Sequence, residues 1–245
     1  VRSLQHTLAL APYSASYRIA LLPDFQRATT EASNAMLKTL EEPSDKVVLL
    51  LTANDLESLL PTIVSRCEVI RLRLASIDST KAYLQSTQGI DPQKAKLFAH
   101  LSSGRIGAAI KLSDDLEHLG QRDEVLQTLL ALISANRVER FKTAENLAKP
   151  YDKAREKTSE ILPIWLSFWH DVFVKASGAD VPLVNIDLDE QIGEIAGLLS
   201  IESARYLVVV HEKALQQLDL YANVRLLLET LMLQWPYFIA QPSQS

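Results

Sequence analysis

Apolar positions in the first 75 residues alternate between helical and strand patterns. Residues 32–40 carry apolar side chains at helical spacing, and Pro43 ends this helix because proline cannot continue the hydrogen-bond ladder. Strands are predicted near residues 17–22, 47–52 and 68–74; the second is an uninterrupted apolar run, typical of a parallel strand covered on both faces. A short helix is predicted over residues 56–64. Strands that alternate with helices indicate an α/β part with a parallel sheet.

Residues 78–113 carry the start and stop signals of three short helices. Asp78 or Ser79 suits the N-cap of the first, and Asp91, followed by proline, suits the N-cap of the second. Gly104 breaks the pattern before the third helix.

Residues 114–245 show helical periodicity almost throughout, with a non-helical connection at residues 178–185. Aromatic side chains that cluster on one predicted helix are expected to form core: Trp165, Phe168, Trp169 and Phe173. His211 falls on an apolar stripe and is predicted to be a core residue with its hydrogen bonds satisfied. The stretch 224–238 is apolar on most sides, which predicts burial in its own domain or against a partner.

These patterns predict a mainly α fold with an α/β part, divided into residues 1–77, 78–113 and 114–245. At 245 residues the chain is longer than a typical single domain. No apolar run is long enough to span a bilayer, and no secretory leader precedes Leu4. The single cysteine excludes an internal disulfide and a cysteine-based zinc site. The five histidines show no metal-ligand spacing, and no metal site is expected.

Charge gives no support for direct DNA binding by this chain alone. The first 81 residues contain nine basic and nine acidic residues, and the remainder contains sixteen basic and twenty-one acidic ones. A domain that binds DNA unaided usually carries a basic stripe, and none is visible here.

Two long motifs suggest a family. The segments ASNAMLKTLEEPS (residues 32–44) and LLPTIVSRC (residues 59–67) resemble motifs that occur together in the AAA+ clamp-loader subunits of bacterial DNA polymerase III, most closely in the delta-prime type. This resemblance implies a partial AAA+ domain over residues 1–77 that lacks its phosphate-loop half, a helical lid over 78–113 and an oligomerisation collar over 114–245.

The nucleotide-binding motifs of that family are missing or altered. No G-x-x-x-x-G-K-[ST] phosphate loop occurs in the sequence, so the chain is expected to bind no ATP itself. By the resemblance, Pro23 occupies the place of the magnesium-linked aspartate in a degenerate Walker B-like strand, and Asp24 alone remains of an acidic pair. Thr52 lies where the family places a sensor residue and is expected to be vestigial.

The motif Ser65, Arg66 and Cys67 carries the strongest functional expectation. The resemblance implies that Arg66 is an arginine finger that serves the ATP of a neighbouring subunit, in preference to an ordinary surface arginine. Cys67 is expected to be a small buried hydrophobe, and Glu41 and Glu42 are expected to be structural. For Arg105, near the lid's sensor position, a sensor role and plain exposure are equally supported.

The resulting hypothesis is a cytoplasmic, non-catalytic subunit of a DNA-directed DNA polymerase holoenzyme, with ATP and magnesium bound in neighbouring subunits. Its expected partners are gamma/tau and delta-type subunits and, through the complex, the sliding clamp and primer–template DNA, with no membrane contact. One alternative is a truncated gamma/tau-type motor subunit, against which Pro23 argues. Another is an AAA+-derived interaction module without a role in replication.

Overall fold

The computed structural model describes residues 1–9, 15–220 and 223–236. The chain divides into two compact units, unit 1 (Val1–Arg73) and unit 2 (Leu74–Ser245). The finer division at residues 77 and 113 stays a prediction.

Unit 1 combines a small parallel sheet with short helices. Its strands are β1 (Arg18–Leu22) and β2 (Val47–Leu51), which pair in parallel with Arg18 opposite Val47 and Leu22 opposite Leu51. The helices are α1 (Arg2–Ala9), α2 (Thr30–Glu41) and α3 (Pro61–Val64), with a 3₁₀ turn at Phe25–Arg27.

The core of unit 1 explains why α2 and α3 lie where they do. Phe25, Met36 and Ile63 are buried together, one each from the 3₁₀ turn, α2 and α3. The start of α2 is fixed by Thr29, whose hydroxyl accepts a hydrogen bond from the backbone N–H of Ala32 at 3.2 Å. Helix α2 ends two residues before Pro43, as the sequence predicts.

The predicted third strand at 68–74 is wrong. These residues have no strand pairing within the described part of the chain, and Leu72 is 92% exposed. A strand needs a hydrogen-bonded neighbour, and β1 and β2 pair with each other. An apolar pattern at 68–74 alone does not supply such a neighbour. Cover on both faces is also wrong for β2, because Val48 and Leu50 are exposed. The predicted helix at 56–64 is confirmed only over Pro61–Val64.

Unit 2 is helical throughout its described residues, apart from connections and one 3₁₀ turn at Ile186–Leu188. Its helices are α4 (Ile77–Gln88), α5 (Pro92–Leu101), α6 (Ile106–Asp114), α7 (Leu116–Ser134), α8 (Arg137–Leu147), α9 (Ala154–Ser177), α10 (Asp189–Gly197), α11 (Ile201–Asp219) and α12 (Val224–Leu233).

The three short helices predicted over 78–113 correspond to α4, α5 and α6. The predicted cap of α5 is confirmed, because the Asp91 carboxylate accepts from the N–H groups of Gln93 and Lys94. The predicted cap of α4 is wrong: Ser76 is the N-cap, and its hydroxyl accepts from the N–H of Ser79 at 3.0 Å.

The main core of unit 2 is built around α9. Trp165, Phe168 and Trp169 are fully buried and Phe173 is half-buried, so the predicted aromatic core is confirmed. The connection 178–185 is non-helical as predicted. It is held by buried Asp171, whose carboxylate accepts from the backbone N–H and the side-chain amide of Asn185.

Buried Arg140 on α8 is a feature that the sequence pattern does not reveal. Its guanidinium donates to backbone carbonyls at the C-terminal ends of two helices: Leu132 and Ile133 near the end of α7, and Met232, Trp235 and Pro236 around the end of α12. The last carbonyls of a helix have no partner within it, so one arginine satisfies two helix ends at once.

The predicted fold class, mainly α with a small parallel α/β part, is confirmed. None of the helices in the described ranges combines the length and the apolar character needed to cross a membrane.

Candidate functional site

Arg66 lies one residue beyond the C-cap of α3. Pro61 starts this helix at its first turn, and Ile63 anchors it in the core of unit 1, while Ser65 is the C-cap. The helix is therefore short but fixed, and it presents Arg66 at the surface with 30% of its side chain exposed.

The guanidinium of Arg66 is held on two sides by its own unit. Nη1 donates to the carbonyl oxygen of Thr62 at 2.9 Å and to the hydroxyl of Ser65 at 3.2 Å. On the other edge, Nε donates to Oε1 of Glu41 at 2.5 Å, and Nη2 forms an ion pair with the same oxygen. One N–H of Nη2 has no acceptor among the residues that the structure describes. Arg66 is thus fixed in orientation while part of its donor surface stays open.

The pairing of Glu41 with Arg66 is the main feature that sequence reasoning missed. Glu41 is the last residue of α2, and Arg66 follows α3, twenty-five positions later. From its position at a predicted helix end, Glu41 was expected only to be structural. The sequence did contain a signal for this ion pair, because one motif carries the Glu41 carboxylate and the other carries Arg66. Spacing along the chain, however, does not predict which side chains come into contact.

Asp24 and Thr52 meet at the carboxyl end of the two strands. The Thr52 hydroxyl accepts from the backbone N–H of Asp24 at 3.1 Å, and the Thr52 carbonyl accepts from the N–H of Phe25 at 2.8 Å. Asp24 has a φ of 51°, in the left-handed region. The Thr52 side chain therefore stabilises the turn after β1, and Pro23, exposed beside it, carries no carboxylate.

A cavity of 510 Å³ lies on the Thr52 side of unit 1, between the loop after β2 and residues 67–72. Its lining includes three carboxylates and one guanidinium: Asp55, Glu57, Glu68 and Arg71. A triphosphate needs converging N–H groups and positive charge, so this lining is electrostatically unsuited to it.

Each remaining predicted residue has contacts within its own unit. Cys67 is only partly buried, and this burial raises the pKa of its thiol. Arg105 is the N-cap residue of α6, exposed, with its guanidinium donating to the carbonyl of Ser102 at 3.4 Å. His211 is fully buried in the core, as predicted, and its Nδ1 is hydrogen-bonded to the carbonyl of Leu207. Its Nε2 has no partner among the described atoms, so the prediction that all its hydrogen bonds are satisfied is wrong.

Two family models match the chain over most of its length. The model described as "DNA polymerase III, delta subunit" matches residues 1–76, and the model described as "DNA polymerase III, delta subunit, C terminal" matches residues 117–236. The chain belongs to the family of DNA polymerase III clamp-loader subunits. The first match contains Glu41 and Arg66, and the second contains helices α8 to α12.

Curated relatives agree with this family. The chain is similar to the DNA polymerase III subunit delta' of Bacillus subtilis, with 23% identity over 95% of this chain and 70% of that protein. It is similar to the subunit tau/gamma of Haemophilus influenzae, with 30% identity over 55% of this chain and 21% of that protein. It is also similar to the subunit delta' of Haemophilus influenzae, with 31% identity over 43% of this chain and 32% of that protein. The chain thus spans about a fifth of the tau/gamma relative but more than two thirds of the first delta' relative.

A solved structure described as a "Bacillus subtilis DNA clamp loader delta protein" also matches, over 95% of this chain and 82% of that one. Its TM-score is 0.32 and its sequence identity to this chain is 15%.

Proposed function

We propose that this chain is a delta-prime-like subunit of the DNA polymerase III clamp loader. It acts as a scaffold and donates Arg66 in trans to the ATP site of a neighbouring gamma/tau-type subunit. The observation that supports this most directly is the geometry of Arg66. An exposed guanidinium is held by Glu41, Thr62 and Ser65, with one N–H left open. A planar guanidinium held in this way is suited to a phosphate oxygen on another subunit.

The delta-prime assignment is supported by the share of each relative's length that the match covers. The similarity to the Bacillus subtilis delta' subunit runs over 233 residues, through both units of this chain. The Haemophilus influenzae tau/gamma match covers 146 residues. The tau subunit of Bacillus subtilis also matches over 94% of this chain, but the chain spans only 44% of that protein and 70% of the delta' subunit.

A non-catalytic role is supported by the residues at the carboxyl end of the sheet. A magnesium-dependent ATPase needs carboxylates beside the phosphates, and here Pro23 and Asp24 stand after β1. The Thr52 hydroxyl is already engaged with the N–H of Asp24. ATP and magnesium are therefore assigned to neighbouring subunits. The same residues argue against the truncated motor subunit as the function of this chain.

In this proposal the chain works in the cytoplasm, assembled with gamma/tau and delta-type subunits through its C-terminal helices. The complex, and not this chain alone, engages the sliding clamp and primer–template DNA. ATP-driven opening and closing of the clamp during replication is the process that Arg66 supports.

The test is an Arg66→Ala variant in the complete cognate clamp loader. We expect the variant to assemble normally and to lower the clamp- and DNA-stimulated ATPase rate, because the transferring phosphoryl group loses a stabilising charge. Arg73→Ala removes another exposed arginine of unit 1 and is the matched control, with an unchanged rate. An unchanged rate for Arg66→Ala, in a complex verified by gel filtration to contain it, would overturn the proposal.

A further inference from the structure

The ion pair between Glu41 and Arg66 joins two helix ends. Glu41 ends α2, which is fixed in the core by Met36; Arg66 follows α3, which is fixed by Ile63. Because both helices are anchored, the Glu41 carboxylate reaches the guanidinium from a defined direction. Its Oε1 atom contacts both Nε and Nη2, which is one complete edge of the guanidinium plane.

The contacts of Arg66 divide its donors into two groups. Nη1 is bound to Thr62 and Ser65, in the same turn as Arg66 itself. These local contacts hold one corner of the guanidinium, but a single corner leaves the plane free to rotate about it. The contact with Glu41 on the opposite edge fixes that rotation, and the outer N–H of Nη2 then points away from both partners.

We propose that Glu41 is the positioning residue of Arg66. Its carboxylate holds the Nε–Nη2 edge, so that the remaining N–H of Nη2 is aimed at a phosphate oxygen of the neighbouring subunit. This inference rests on the proposed function, because it assigns to Glu41 a role that is exerted only through Arg66. Glu41 itself touches no nucleotide in this scheme.

Glu41 could instead compete with phosphate for Arg66, and the two roles predict opposite changes in the ATPase rate when its charge is removed. A carboxylate next to an arginine can also compete with phosphate for it, and removing such a competitor would raise the ATPase rate. Glu41 is 47% exposed and Arg66 30% exposed, so solvent screens the pair and its attraction is modest. A weakly paired competitor would lower the ATPase rate only slightly, whereas a loss of orientation of the Arg66 guanidinium acts directly on the transition state. The geometry therefore favours positioning over competition.

The experiment uses the complete cognate clamp loader with Glu41→Gln in this subunit. Glutamine keeps the side-chain length and one acceptor oxygen but removes the charge. We expect the part of the stimulated ATPase rate that depends on Arg66 to fall about fivefold in kcat, with KM for ATP unchanged. Glu42→Gln is the matched control. Glu42 is the adjacent residue, exposed and without a side-chain hydrogen bond among the described residues, and its variant should retain the full rate.

A double variant separates positioning from any other effect. In the Arg66→Ala background, Glu41→Gln should cause no further loss, because a residue that acts through Arg66 has nothing left to position. An additive loss, an equal loss in Glu42→Gln, or a rise in rate for Glu41→Gln would each overturn the positioning role. If Arg66→Ala lowers the rate and Glu41→Gln does not, the positioning role fails while the proposed function stands. If Arg66→Ala itself has no effect, the proposed function fails.

Discussion

The His211 ring stacks on the indole of Trp235, with ring centroids 5.7 Å apart and an interplanar angle of 26°. Nδ1 of His211 lies 2.6 Å from the carbonyl oxygen of Leu207. A carbonyl can only accept, so Nδ1 carries the proton and Nε2 is bare. Burial lowers the pKa of His211 to about 4, and the hydrogen bond to Leu207 offsets this only in part.

The first prediction concerns acid stability. The pKa of His211 is lower in the folded protein than the usual 6.5, so the folded state resists protonation. Its contribution to the free energy of unfolding is complete above pH 6.5 and is lost as the pH falls towards 4, by roughly 3 kcal/mol. Urea denaturation at pH 7 and pH 5 should detect about 2 kcal/mol of this loss. His211→Phe should reduce the difference in the free energy of unfolding between the two pH values, and an unchanged difference would contradict the role of His211.

The second prediction concerns Gly104. Its φ is 78°, and a Cβ at this position would overlap the carbonyl oxygen of Ala75. Gly104→Ala should lower the free energy of unfolding by about 2 kcal/mol, measured by urea denaturation. Gly89→Ala, at a φ of 66° with open space around it, should cost only about 1 kcal/mol. Equal losses would show that backbone conformation alone matters at Gly104.

The third prediction concerns α12. Leu227 and Leu231 are buried in the core of unit 2, whereas Leu226 on the same helix is 62% exposed. Replacing Leu227 and Leu231 with aspartate places two unpaired charges in apolar surroundings and should unfold unit 2, with loss of helical signal in circular dichroism. Leu226→Asp should leave the helical signal intact. A folded double variant would refute the burial of α12.

These helices also show how far the sequence could be interpreted. The burial predicted for residues 224–238 holds for one face of α12, whereas Leu226 and Leu233 are exposed, and residues 237–238 lie outside the described ranges. The aromatic cluster on α9 predicted a buried face correctly, because a buried stripe needs only local spacing. The same reasoning did not predict the role of Arg140. The residues of its helix are mostly polar, and its role depends on two helix ends about 100 residues apart in sequence, at Leu132 and Met232.

The failures in unit 1 have the same origin. Residues 68–74 carry a strand-like pattern, but a strand forms only where a hydrogen-bonded neighbour is present. Glu41 and Arg66 were each assigned correctly to a helix end, while their pairing depends on how α2 and α3 pack around Met36 and Ile63. Local propensity predicted α2 and part of α3 but not α1, and the pairing of Glu41 with Arg66 depends on tertiary contacts.

The fourth prediction concerns nucleotide binding. Because the lining of the cavity beside Thr52 carries three carboxylates and one guanidinium, the purified chain should bind no magnesium-ATP. Isothermal titration calorimetry should detect no saturable heat. A dissociation constant in the micromolar range would contradict this prediction and favour the motor-subunit alternative.

The fifth prediction compares lysine with alanine at Arg66. Lysine keeps the positive charge but cannot contact Glu41, Thr62 and Ser65 at once through a planar fork. Arg66→Lys should therefore restore little of the ATPase rate that Arg66→Ala loses. Full restoration in the assembled complex would show that charge alone suffices.

Cys67, beside Arg66, has a practical consequence for spectroscopy. It is the only cysteine in the sequence, so a thiol-reactive fluorophore would attach at one position, adjacent to the proposed contact with the neighbouring subunit. Burial raises the pKa of this thiol, so alkylation needs mildly alkaline buffer and long incubation. A label placed there would report docking of the neighbouring subunit through a change in emission, without any engineered cysteine.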